Sequence, residues 1–94
     1  MTFYISIGNS DDKLSQQEWA EFVTEVHDAI DGSGAQVHGR WSSYPDAPWQ
    51  NACWCIELTT AKVSWLRRCL ATLAQKYRQD SIAWAEAPVT EFLS

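Results

Sequence analysis

Apolar and polar residues alternate from Thr2 to Gly8, with Phe3, Ile5 and Ile7 on one side and Tyr4 and Ser6 on the other. That period of two predicts a half-buried strand. Gly8 to Lys13 is a polar loop by composition. Ser15 and Glu18 then stand at the spacing of a capping box, in which the hydroxyl accepts from the Glu18 amide and the carboxylate from the Ser15 amide. Trp19, Phe22, Val23, Val26 and Ile30 follow on one helical stripe, and Gly32-Ser33-Gly34 ends the helix. Ala35 to Ser43 predicts a second strand, with Val37, Gly39 and Trp41 on one face and His38 and Arg40 on the other. Ser43 to Asn51 is a loop, because Pro45 and Pro48 cannot donate to a ladder.

Ala52 to Thr59 predicts the third strand, with Trp54, Ile56 and Leu58 opposed to Cys53, Cys55 and Glu57. Thr59 or Thr60 caps the next helix. Its stripe is Val63, Leu66, Leu70, Leu73 and Tyr77, and Gln79-Asp80 closes it. Ser81 to Ala87 is the fourth strand, ended by Pro88, and Phe92 and Leu93 suggest that the tail over 88–94 docks on the body.

The order strand-helix-strand-strand-helix-strand in a single domain over 1–94 predicts an α+β sandwich of the ferredoxin-like kind. Right-handed crossovers give an antiparallel sheet in the order 4-1-3-2 with both helices on one face. This topology brings three loops to the same end. Asn9, Asp11, Asp12, Lys13, Tyr44, Asp46, Trp49, Gln50, Asn51, Arg78 and Asp80 therefore form the first candidate site, a loop end for a protein partner. The uncovered sheet face is the second: Tyr4, Ser6, His38, Arg40, Cys53, Cys55 and Glu57 would floor a ligand site or a homodimer seam.

Composition narrows the chemistry. The 94 residues include 6 Trp, 3 Tyr and 3 Phe, most simply read as core filling in a small domain, with one or two Trp left over as partner anchors. A formal net charge of −5 argues against a nucleic-acid binder, and no segment has the length of a membrane span or the form of a signal peptide. Three cysteines make a poor disulfide framework, so reduced thiols and a cytoplasmic setting are expected. Cys53, Cys55 and His38 are too few and too closely spaced for a structural zinc site, so no metal and no cofactor is expected. A nucleophile built from Cys53 or Cys55 with His38 and Glu57 needs a lowered thiol pKa that nothing in the chain supplies. His27, at the edge of the first stripe, reads as a packing residue. Asp11, Asp12, Asp46 and Asp80 could gather around a hard cation, but turn and helix-start roles explain them better. Glu18, Glu21, Glu25 and Asp28 form the one acidic row that could imitate DNA.

Three segments, Ile7 to Leu14, Pro45 to Trp54 and Tyr77 to Trp84, together resemble small proteins encoded by bacteriophages of actinobacteria. The resemblance spans nearly the whole chain and brings no activity or catalytic residue with it. It implies a phage accessory protein working inside a host cell. The expected function is thus non-enzymatic binding of a host defence, regulatory or replication protein through the loop end. A nucleotide-signal binder on the open face is the alternative, and a dimeric α+β barrel enzyme the third reading.

Overall fold

The computed structural model describes residues 1–89 and 91–94. Its elements run β1 (Thr2–Gly8), α1 (Gln16–Gly32), β2 (Gln36–Ser42), β3 (Asn51–Glu57), α2 (Thr60–Lys76) and β4 (Ala83–Ala87), with a short 3-10 turn at Ser10–Asp12. The sheet order is β2-β3-β1-β4, and every neighbouring pair is antiparallel. Taken from the other edge this is 4-1-3-2, the ferredoxin-like α+β arrangement.

Local chemistry sets the helix ends. Ser15 Oγ accepts from the Glu18 amide and Glu18 Oε1 from the Ser15 amide, each at 3.1 Å, closing the capping box. α1 stops because Gly34 takes φ +75°, a conformation that costs a side chain about 1–2 kcal/mol. α2 differs at both ends. Thr59 occupies the N-cap but its side chain makes no capping bond. At the C-terminus, Arg78 adopts φ +57° where glycine is usual. The Arg78 amide reaches Gln75 O at 3.1 Å and the Gln79 amide reaches Ala74 O at 2.8 Å, which is the Schellman pattern.

The core lies between the helices and one sheet face. Phe3, Ile5 and Ile7 stand opposite Ile56, Trp54 and Ala52 on β3, and Phe22, Val26, Ile30, Leu66 and Leu70 close over them. Phe22 joins the two helices, stacking on Tyr77 at 4.8 Å between ring centroids. Trp54 is wholly buried at the centre of the sheet. Its indole N–H donates to His27 Nδ1 at 3.2 Å, so the half-buried imidazole packs at the edge of the core and satisfies the one polar side-chain atom of the largest core residue.

Two expectations are corrected. Phe92 and Leu93 do not dock: each is 91% exposed. Among the described residues β4 pairs only with β1 and ends at Ala87 opposite Thr2, the first residue of β1. Thr90, within the expected tail, lies outside the described residues. The second correction is a β-bulge in β2. Val37 faces Ile56, but Gly39 faces Cys55 and Arg40 faces Trp54, so His38 is an inserted residue. Beyond it every side chain changes face. Gly39 and Trp41 turn to the open side, and Arg40 turns to the helix side. Among the described residues, no helix is long and apolar enough to cross a membrane.

His27→Phe strands the Trp54 N–H in the core and should lower unfolding free energy by about 1–3 kcal/mol. Urea denaturation reads this as a lower midpoint at unchanged slope. A midpoint equal to wild type would show that the Trp54–His27 bond contributes nothing.

Candidate functional site

The three loops do meet, and buried amides join them. The Asn9 backbone N–H donates to Gln50 O at 3.0 Å. Asn9 Oδ1 accepts from the Leu14 amide at 3.0 Å, while Nδ2 donates to Leu14 O at 3.1 Å and to Gln50 Oε1 at 3.0 Å. Gln50 and Gln16 exchange a second pair of side-chain bonds, at 2.8 and 3.3 Å. On the other flank Gln79 Oε1 accepts from the Ser10 amide at 3.1 Å. Among the described residues no buried side-chain nitrogen or oxygen lacks a partner. The loop end is therefore a rigid platform.

That rigidity sorts the candidate residues. Asn9 and Gln50 are buried and fully engaged, so they build the platform and offer a partner no surface. Gln79, which the sequence did not single out, does the same work. Lys13 Nζ reaches Arg78 O at 3.4 Å and Asp80 at 3.7 Å. Arg78 turns away to Glu18 at 2.9 Å, and its guanidinium is the leading cause holding the Glu18 carboxyl below its ordinary pKa. Asn51 closes the hairpin, its amide donating to Ser43 Oγ at 3.0 Å and its Nδ2 to Trp49 O at 3.2 Å. Asp11, Asp12 and Asp46 are exposed, and Asp11 and Asp12 both have positive φ, which Asp tolerates better than most residues.

What projects from the platform is aromatic. Ala47 N–H donates to Tyr44 O at 3.0 Å, making a turn in which Pro45 occupies the second position that its fixed φ favours. Tyr44 is 83% exposed and Trp49 81% exposed, on either side of that turn.

The open sheet face is different from its expected form. Tyr4 and Ser6 on β1 oppose Cys55 and Cys53 on β3, with Ala83 and Ala85 of β4 beside them. Ser6 Oγ donates to Cys53 Sγ at 3.1 Å. The Cys55 thiol beside Tyr4 raises the phenol pKa, hydrogen bonding first and charge second. His38 Nε2 lies 3.2 Å from Glu57 Oε1. The bulge removes Arg40, the one arginine expected on this face, and adds Trp41, 53% exposed. Among the described residues no three His, Cys, Asp or Glu side chains form a group able to hold a metal ion.

No protein-family model matches the chain, and no curated protein sequence matches it. Solved structures do. The C-terminal domain of the MgtC protein from Mycobacterium tuberculosis is similar with a TM-score of 0.57 and 10% identity, over 89% of this chain and 84% of that one. Formyltetrahydrofolate deformylase from Burkholderia mallei is similar with a TM-score of 0.55 and 18% identity, over 89% of this chain and 26% of that one. The likeness is one of fold. At such identities it transfers no site, because one fold carries many unrelated functions.

Two outcomes are expected from the geometry. Asn9→Ala and Gln50→Ala should each lower stability by about 1–3 kcal/mol, and the double variant by less than their sum, since they share a bond. Additivity in a double-mutant cycle would show that the two amides act separately. Glu57, held by the N-terminal ammonium first and then by Thr2 and His38, has its pKa lowered to about 2. Its folded value lies below the unfolded one, so its contribution is whole above about pH 4.3 and fades as pH falls toward 2. Glu57→Gln should flatten the acid limb of melting temperature against pH in that window, and an unchanged limb would remove Glu57 from the acid response.

Proposed function

We propose that the protein is a non-enzymatic binding module that docks its hairpin loop onto a protein partner. The observation that carries this reading is the pair Tyr44 and Trp49, both more than four-fifths exposed on a loop whose base is clamped by buried amides. A large aromatic held out on a rigid base loses little entropy on docking, and it supplies most of the energy when it enters a partner's pocket. The exposed Asp11, Asp12 and Asp46 beside it favour a partner with a basic rim. The resemblance of three segments to proteins of actinobacterial phages supports a phage setting for this reading, with a host defence, regulatory or replication protein as the partner.

The open face supports a second reading, self-association. Trp41 on the β2 edge and Tyr4 on β1 offer aromatic surface, while Ser6 and, on the β4 edge, Ala83 and Ala85 are small, which suits close packing against a second copy. A dimeric enzyme barrel would need the same pairing, whereas a nucleotide site on that face has lost the Arg40 contact it relied on.

Trp49→Ala should weaken partner capture from host lysate by about 2 kcal/mol or more while leaving the melting temperature unchanged. Equal capture by wild type and variant would remove the hairpin from the interface. A fall in melting temperature would place Trp49 in the folded core. Light scattering across concentration tests the second reading, since Trp41→Ser should abolish any dimer and a monomer at every concentration refutes the pairing.

A further inference from the structure

The bulge in β2 does more than alter the open face. It aims Arg40 into a groove of about 400 Å³ between α1 and the β2–β3 hairpin. Bulges often re-aim a side chain next to a site. Trp19, Val23 and Tyr44 give the groove apolar and aromatic walls, and the Gln16–Gln50 amide pair is part of its lining. The Arg40 guanidinium carbon sits 5.5 Å from the centroid of the buried Trp54 ring, within cation–π range, and Arg40 itself is exposed, so its N–H groups are open to a ligand. Among the described residues Arg40 has no acidic partner, and no acidic side chain lines the groove.

The groove on the opposite flank sets the contrast. There Arg67 lies 5.8 Å from the Trp84 ring, but Asp80 is part of the lining and brings its own negative charge. Of the two, the Arg40 groove alone combines a cation over an aromatic ring with apolar walls and no acid among the described residues.

We propose that this groove is a binding site for an aromatic carboxylate, with Arg40 taking the carboxylate and Trp19 and Tyr44 flanking the ring. A single guanidinium matches a monoanion in bidentate geometry. A phosphate dianion calls for more positive charge than one arginine supplies in a chain of net charge −5. The volume suits a ligand of one ring and a short side arm, at the small end of ligand pockets. Such a carboxylate can belong to a free acid or to the C-terminus of a peptide ending in an aromatic residue.

The test is an NMR titration of the intact protein with hydrocinnamate, its uncharged amide, a short peptide ending in phenylalanine with a free carboxylate, and inorganic phosphate. Saturable shifts of the Gln16 and Gln50 side-chain amides and the Trp19 indole are expected with one or both carboxylates. The tighter of the two identifies the source. Amide and phosphate should bind at least about tenfold more weakly. Arg40→Gln should lose at least about tenfold of the carboxylate affinity at an unchanged melting temperature, and Arg40→Lys should recover only part of it. Trp49→Ala should bind the probes as wild type does, since Trp49 does not line the groove, whereas Tyr44 belongs to both the groove and the hairpin surface. No saturable shift with either carboxylate, phosphate binding more tightly than both, or undiminished binding by Arg40→Gln would each overturn the proposal.

Discussion

Three buried amide side chains, Asn9, Gln50 and Gln79, carry the constraint on which the loop end depends. Bringing three irregular segments together over an apolar core removes backbone N–H and C=O groups from water, and each unpaired group there costs free energy comparable to a lost hydrogen bond. Asn9 meets this by bonding both backbone groups of Leu14 and the side chain of Gln50, while Gln79 takes the Ser10 amide. The loops are therefore ordered as one body, and the exposed hairpin aromatics inherit a fixed base.

The helices add a second tie beneath that platform. Glu25 accepts from Lys76 at 2.7 Å and also from the Tyr77 hydroxyl, and these two partners lower its pKa in that order. Burial, then Glu25, raises the Tyr77 phenol. Phe22 stacks on the same tyrosine ring, so apolar packing and a charged hydrogen bond fix the end of α2 together. That end leads directly into Arg78 and Gln79, which links helix packing to loop placement.

One inserted residue in β2 redistributes the chemistry of the molecule. Strand side chains alternate with a period of two, so an extra residue at His38 moves every later side chain to the other face. The open face gains Trp41, and the groove under the hairpin gains Arg40. Gly39 was the available signal, because an isolated glycine within a strand pattern often marks a bulge. Strict alternation through Val37, Gly39 and Trp41 hid it.

By itself the sequence determined the element order, the helix caps at Ser15 and Gly34, the sheet topology and most of the core. Those features rest on local chemistry and on hydrophobic periods of 2 and 3.6 that are visible along the chain. It also placed Trp49 and Tyr44 outside the core, since prolines and polar residues surround them. Only the tertiary structure decided the rest. Asn9, Gln50 and Gln79 look like any other polar loop residues until the loops close and remove them from water. The face of Arg40 depends on pairing between β2 and β3, and the exposure of Phe92 and Leu93 accompanies the end of β4 at Ala87, against the first residue of β1. Such facts arise from contacts between residues far apart in the chain, and apart from the hint of Gly39 no local pattern encodes them.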